Sequence, residues 1–272
     1  MAVLFISRGT MSGVRRLVKC FGEHSDARLV SREELVEVVD RHGELASRVV
    51  EQLASADRAY EQFSRCRHPY LVLMRQGLLE QLDGDDVIYH GFSGHLLLPP
   101  LPHFVRVRIE APLAVRVPLT MERLDCDEEA ARDYIRDEDT RRVRWARFMY
   151  GRDVRDPKLY DLVLNLERLD LETVCHTLLH VLASPELKCT EESRLKLKRM
   201  RLAAAVEAAL VSDPRTHTFE IGAEIEGGIA RLTGPYLDEQ GREVVREIAT
   251  SVAGIDSVDY APGYAPFLGA IS

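Results

Sequence analysis

A loop near the start of the chain carries residue types that bind phosphate. The apolar run 3–6 predicts a buried strand, which leads through a Gly/Ser-rich loop into a helix. In a Walker loop, G-x-x-x-x-G-K-[ST], backbone N–H groups surround phosphate oxygens, the Lys reaches the transferred group and the hydroxyl binds Mg²⁺. Here Gly9 supplies the first glycine and Val14 replaces the second, while Arg15 stands in place of the Lys and Arg16 removes the hydroxyl. The pattern predicts a phosphate site, and an ordinary strand–turn–helix junction remains the alternative.

A second group of candidate residues is the arginine-rich segment 134–151. Helical spacing places Arg141, Arg144 and Arg147 on one face. Phosphoryl transfer requires the charge on several oxygens to be stabilised, and planar guanidinium groups suit that task. The alternative is a solvated helix whose arginines pair with the acidic residues 137–139.

Strands and helices that could position these residues alternate along the first two thirds of the chain. Strands are predicted at 3–6, 87–91, 104–109 and 159–164, and helices after the loop, from the Ser31 cap, and over 44–63 and 70–82. Such alternation predicts an α/β fold with a parallel sheet flanked by helices.

The last third of the chain differs in kind. Alternation over 219–225, a Gly227-Gly228 turn, a helix over 239–252 and a strand over 255–260 predict a small α+β module. The predicted organisation is a first domain over 1–182, a linker over 183–198, the small module over 199–262 and a tail over 263–272.

Composition narrows the classes of function. The chain has 272 residues, 46% of them hydrophobic, and a net charge of −8, which argues against general nucleic-acid binding. No apolar run approaches the roughly eighteen residues of a membrane span, and no signal segment is evident at the start, so a cytoplasmic location is expected.

Scattered cysteines without a C-x-x-C pair favour free thiols. These cysteines are Cys20, Cys66, Cys126, Cys175 and Cys189.

Histidine clusters do not predict a metal site. His90, His95 and His103 lack a known ligand spacing, and the pair His176 and His180 lacks the glutamate of H-E-x-x-H. Packed or half-exposed histidines are the expectation for both groups.

Over roughly residues 1–182 the order of motifs resembles the cytidylate kinase-like family, relatives of the bacterial CMP kinases among the P-loop nucleoside monophosphate kinases. The matching positions are Ile6-Ser7-Arg8, Ser12-Gly13, Arg15, Val87 to Gly91, Val107 to Arg116, Met121-Glu122-Arg123, Tyr134, Ile135, Asp139, Arg141, Arg142, Tyr150-Gly151, Asp156-Pro157 and Leu159 to Asn165. The resemblance implies a P-loop kinase fold, ATP as cofactor, and transfer of its γ-phosphoryl to a nucleoside monophosphate or a related small acceptor.

The resemblance also implies roles for particular residues. Phosphates of the nucleotide would lie against Gly9, Thr10, Met11, Ser12, Gly13, Val14, Arg15 and Arg16. The catalytic cations would be Arg15, Arg141, Arg142 and Arg144. The arginine-rich segment 134–151 would form a lid over the transferred group, and Asp139 would support that lid.

Two departures from the family pattern keep a second function open. CMP kinases carry Gly-Arg-Asp after the second core strand, whereas this chain has Gly91-Phe92-Ser93-Gly94-His95. Arg16 also leaves the requirement for Mg²⁺ open. The alternative to an enzyme is therefore a non-catalytic nucleotide sensor.

The segment from Arg199 to Ala261 resembles a BON domain, a module associated with envelope, phospholipid or ligand contacts. Glu220, Glu224 and Glu226 give one strand an acidic face that suits anionic lipid poorly. Regulation between domains or homo-oligomerisation is expected of this module, ahead of membrane attachment.

Overall fold

The computed structural model describes residues 2–40, 64–84 and 86–263. The chain divides into two compact units, one comprising Met1–Arg32 and Gly84–Cys189, the other Glu33–Asp83 and Thr190–Ser272. Residues 33–83 were predicted to belong to the first domain, whereas Glu33–Asp83 belong to the same unit as Thr190–Ser272.

Strands and helices are interspersed along the described chain. In chain order they are β1 Val3–Arg8, α1 Val14–His24, β2 Arg28–Ser31, α2 Arg32–Asp40, α3 Ser64–Gln81, β3 Val87–Gly91, β4 Phe104–Glu110, α4 Leu113–Leu124, α5 Glu128–Tyr150, β5 Leu162–Asn165, α6 Leu171–Leu182, α7 Glu191–Ser212, β6 Gly222–Glu226, β7 Ile229–Gly234, α8 Glu239–Thr250 and β8 Ser257–Pro262.

The first unit is built on a five-stranded parallel sheet with the order β2-β3-β1-β4-β5. β1 is apolar and buried at nearly every position, as expected for a central strand covered on both faces. On one face Leu4 and Ile6 join a core with Leu17 and Phe21 of α1. On the other face the ring of Phe5 lies 5.3 Å from that of Phe104. The predicted α/β fold with a helix-flanked parallel sheet is confirmed.

Several predicted boundaries differ from those observed. The sequence analysis missed β2, because only Val30 of its four residues is buried. β5 begins at Leu162 rather than Leu159, since Asp156 caps a 3₁₀ turn over Pro157–Leu159. α3 extends back to Ser64. The predicted helix over 44–63 lies outside the described residues.

The expectation that all cysteines are free thiols is wrong. Cys20 of α1 and Cys175 of α6 form a disulfide across 155 residues of sequence, with their Cα atoms 6.4 Å apart. Cys126 and Cys189 are not part of a disulfide among the described residues. Spacing along the chain carries no signal for such a pair, because the fold brings the two helices together.

The second unit contains a three-stranded sheet with the order β6-β7-β8. β6 and β7 form the predicted hairpin through Gly227 and Gly228, and β8 pairs in parallel with β7 after crossing through α8. α7 covers residues 191–198, which were predicted to be a linker. α3 packs in the same unit, where Arg75 forms a buried ion pair with Glu207 of α7. In the described part of the chain, no helix is both long and apolar enough to cross a membrane.

Candidate functional site

The candidate site lies at the carboxyl end of β1, the central strand of the sheet. β1 pairs with β3 on one side and with β4 on the other, so the chain connections diverge at this point. In open α/β sheets ligands bind in the crevice outside such a divergence. The Gly/Ser-rich loop occupies that position, between β1 and α1.

The backbone of the loop alternates in the sign of φ. Met11 has a φ of 55° and Gly13 a φ of 77°, both in the left-handed region. Gly9 N–H donates to the carbonyl of Ile109 at 3.2 Å, which fixes the loop to the end of β4. The N–H groups of residues 10–13 donate to no acceptor among the described residues. Alternating backbone conformations with free N–H groups form a concavity that binds anions.

Two hydroxyl groups of this loop are buried without partners. The side chains of Thr10 and Ser12 are 2% and 1% exposed, and neither Oγ1 of Thr10 nor Oγ of Ser12 has a hydrogen-bond partner in the described structure. Leaving a buried hydroxyl unpaired costs on the order of 1–3 kcal/mol. The loop therefore has unmet hydrogen-bonding capacity that a polar ligand could satisfy.

Arg116 of α4 lies beside the loop, a position that the sequence analysis did not include in the site. One of its terminal nitrogens, Nη1, is 4.0 Å from the point that a Cβ on Gly9 would occupy. Its other terminal nitrogen, Nη2, donates to the Asp139 carboxylate at 2.6 Å. The Nε of this buried side chain has no partner in the described structure. Arg123 of the same helix reaches the sulfur of Met11 at 3.7 Å.

The lid lies in α5. One of its predicted catalytic arginines, Arg142, contacts β1, the strand that precedes the loop. Asp127 caps the helix by accepting from the N–H of Ala130. Nη1 of Arg142 donates to the carbonyl of Arg8 at 3.2 Å. Its guanidinium also lies 5.5 Å from the centre of the Phe92 ring, a cation–π geometry. Arg142 thus connects the lid to both the end of β1, where the loop begins, and the segment after β3.

The carboxylate that holds the predicted lid arginines is Glu138 rather than Asp139. Glu138 accepts from Nε of Arg142 at 3.1 Å and also pairs with Arg141. The Asp139 carboxylate instead accepts from Arg116, which ties the lid to α4. Both carboxylates thus neutralise cations that lie around the loop.

The remaining predicted lid residues point to solvent. Arg141 and Arg144 are exposed, and Arg144 forms no ion pair with any described residue. Arg147, on the same face, pairs with Asp153 at 2.8 Å. The structure therefore brings Arg142 to the loop and leaves Arg144 away from every described partner.

The positions at which this chain departs from the Walker pattern, residues 14–16, lie at the start of α1. Val14 is buried as the first residue of α1, and Arg16 is exposed. The backbone of Arg15 lies in the first turn of α1, and its side chain lies outside the described residues. The first turn of a helix leaves N–H groups without partners and favours negative charge.

The segment after β3 carries no charged pair. Ser93 adopts a left-handed φ of 60°, and its Oγ is buried without a partner in the described structure. The ring of His95 packs against that of Tyr160 at 4.7 Å between centroids. Burial, reinforced by Arg106 and Arg108, lowers the pKa of His95 to about 3, so the imidazole is neutral. This segment cannot replace the Arg-Asp pair of the CMP kinases by charge.

Magnesium ligands are sparse around the loop. The described residues contain no cluster of three His, Cys, Asp or Glu side chains suited to a metal ion. Arg16 provides no oxygen, whereas the buried hydroxyls of Thr10 and Ser12 do. Hard cations such as Mg²⁺ prefer oxygen ligands and commonly share them with substrate phosphates. The hydroxyls of Thr10 and Ser12 are therefore the side chains of the loop that would hold a magnesium ion.

Comparisons with known proteins found similar solved structures and one matching family. A crystal structure of an uncharacterized protein from Eubacterium ventriosum is 17% identical, with a TM-score of 0.52 over 68% of this chain and 99% of that one. Shikimate kinase from Bacteroides thetaiotaomicron is 14% identical, with a TM-score of 0.39 over 67% of this chain and 99% of that one. No curated protein matches the sequence. The sequence profile described as "Cytidylate kinase-like family" matches residues 10–168, which include the loop, the lid and β5. The chain therefore belongs to the cytidylate kinase-like family.

Proposed function

We propose that this chain binds ATP at the loop of residues 9–16 and transfers the γ-phosphoryl group to a nucleoside monophosphate (CMP-like) or a related small acceptor. The observation that carries the proposal is the cradle of free N–H groups at residues 10–13, flanked by the guanidinium groups of Arg116 and Arg142. Membership of the family supports a nucleotide-binding, kinase-like fold.

In this proposal the donor phosphates replace carboxylates as partners of the arginines. In the structure, Arg116 is paired with Asp139 and Arg142 with Glu138. A triphosphate in the cradle presents oxygens that compete for the same guanidinium groups. Such preorganised cations stabilise the charge that spreads over the transferred group.

The proposed cofactor is ATP together with Mg²⁺. When bound, the ion would supply positive charge that offsets the negative charge of the phosphates. The hydroxyls of Thr10 and Ser12 are the side chains that could hold it, because Arg16 takes the place of the usual hydroxyl.

A non-catalytic nucleotide sensor is the second candidate. It is favoured by Phe92, whose ring packs on Arg142 in the segment where CMP kinases carry charged residues. In that case nucleotide binding would be signalled through the C-terminal module. For that module we propose a BON-like domain that acts in regulation or in self-association rather than at a membrane.

Titration calorimetry with ATP and Mg²⁺, followed by CMP and the other monophosphates, tests the proposal. We expect micromolar binding of ATP and of one monophosphate, and ADP release when both are present. Arg15→Ala and Arg142→Ala should each weaken ATP binding, since a charge-assisted hydrogen bond contributes about 1.5–3 kcal/mol, or roughly 10- to 150-fold. Arg132→Ala is the matched control, because Arg132 lies on the same helix and pairs with Glu128.

The outcomes separate the two candidates. Binding of a single nucleotide without turnover supports the sensor. Turnover that the Arg15→Ala, Arg142→Ala double variant does not reduce would falsify the assignment of the site. Lack of binding for every nucleotide would refute both candidates.

A further inference from the structure

The disulfide joins the helix that follows the phosphate-binding loop to the last helix of the same unit. Cys20 lies in α1, whose first residue comes directly after Gly13, and Cys175 lies in α6. Leu171, the first residue of α6, contacts Gly13, since a Cβ placed there would lie 3.1 Å from its Cδ1. α1 and α6 are therefore joined both at the loop, by packing, and farther along, by a covalent bond.

The two sulfur atoms lie in different surroundings. Cys175 is fully buried in the core, whereas Cys20 is only partly buried. Nδ1 of His24 lies 3.8 Å from Sγ of Cys20, and the His24 ring packs against that of His176 at 5.0 Å. Cys20 is therefore the less buried of the two cysteines, and the exposed imidazoles of His24 and His176 lie near it.

We propose that Cys20–Cys175 is a thiol–disulfide exchange site whose redox state controls the order of the phosphate-binding loop. The reaction partner is a dithiol reductant. In the oxidised state the bond holds α1 against α6, and with it the contact between Leu171 and Gly13. In the reduced state only packing holds the two helices together, and the loop opens more often.

The thiol–disulfide exchange takes place in two steps. A thiolate of the reductant attacks Sγ of Cys20, the bond between the protein sulfurs breaks, and the Cys175 sulfur leaves as a thiolate that takes up a proton. The second thiolate of the reductant then attacks the mixed disulfide and releases the Cys20 thiolate, which is protonated in turn. Two electrons pass from the reductant, which becomes a disulfide, to the protein.

Alkylation and hydrogen exchange on the full chain test this proposal. The chain carries Cys66→Ser, Cys126→Ser and Cys189→Ser, so that Cys20 and Cys175 are its only cysteines. After air oxidation, intact mass should show no alkylation without dithiothreitol and two alkyl groups after its addition. Reduction should speed amide exchange over residues 9–17 by about tenfold or more, as expected when a local restraint is removed. Amides of β7, in the other unit, serve as the internal reference.

Two further variants separate the loss of the disulfide from any other effect of the reductant. Cys20→Ser and Cys175→Ser, made in the same background, should show the fast exchange without reductant and no response to it. The proposal is overturned if both thiols of the air-oxidised chain are alkylated without reductant. It is also overturned if reduction leaves exchange over residues 9–17 unchanged. Neither readout depends on nucleotide, so both remain valid whether or not ATP binds.

Discussion

His95 makes the stability of the first unit depend on pH in a predictable direction. Its side chain is 5% exposed, next to Tyr160, with Arg106, Arg108 and Asp161 as the charged groups that act on it. Burial is the largest cause that lowers its pKa from 6.5 to about 3. Between those two values the unfolded chain binds a proton at His95 that the folded chain does not.

The size of the effect follows from proton linkage. A difference of one bound proton changes the free energy of unfolding by about 1.4 kcal/mol per pH unit. Because the folded pKa is the lower one, the stabilisation is present above pH 6.5 and is lost as the pH falls toward 3. Lowering the pH from 7 to 5 should therefore cost about 2 kcal/mol through His95 alone.

Urea unfolding at pH 7, 6 and 5, with and without His95→Gln, measures this contribution. The chain has a single tryptophan, Trp145, which lies in α5 and reports on the unit that contains His95. The wild-type protein should lose about 2 kcal/mol more than the variant between pH 7 and 5. His180→Gln is the matched control, since His180 is exposed on α6. If the wild type and His95→Gln lose stability equally, the reasoning about His95 is refuted.

Three further predictions concern packing and pairing in the same unit. Asp139→Asn removes the carboxylate partner of the buried Arg116 and should lower the free energy of unfolding by about 2 kcal/mol, and equal urea midpoints would contradict this. Gly94→Ala would place a Cβ 2.1 Å from the buried Tyr89 ring, so a loss of about 1–3 kcal/mol is expected in the same assay, and an unchanged midpoint would show that the ring can move. Cys175→Ser removes the disulfide that closes a loop of 155 residues, and chain entropy gives an upper value of about 5 kcal/mol for the resulting loss of stability. A thermal unfolding midpoint equal to that of the oxidised wild type would disprove a stabilising role.

The sequence predicted the elements whose signal is local. β1 and β3 are apolar runs that the sheet buries, and β4 alternates apolar with charged residues. Gly227-Gly228 adopts the left-handed φ values that a tight hairpin turn uses. β2 was not predicted, because an edge strand with one buried side chain has no clear periodicity. Hydrophobic pattern therefore fixes the centre of a parallel sheet better than its edges.

The candidate site was only partly predictable for a different reason. The loop residues Gly9 and Gly13 follow a motif, so their positions could be inferred. The pairing of Arg116 with Asp139 joins residues 23 apart in two helices and depends on how those helices pack. Choosing Glu138 rather than Asp139 as the support of Arg142 likewise requires the rotation of α5 about its axis, which sequence alone leaves undetermined.

The discontinuous first unit has a consequence for chain cleavage. Its two segments, Met1–Arg32 and Gly84–Cys189, are connected through residues 33–83, and each segment contributes one cysteine to the disulfide. The backbone from Cys20 to Cys175 and the disulfide therefore form a closed ring, which includes residues 33–83. A protease cut anywhere within 33–83 opens that ring but leaves both segments in one molecule. Such nicked protein should run as a single band on a non-reducing gel and as two bands once reduced.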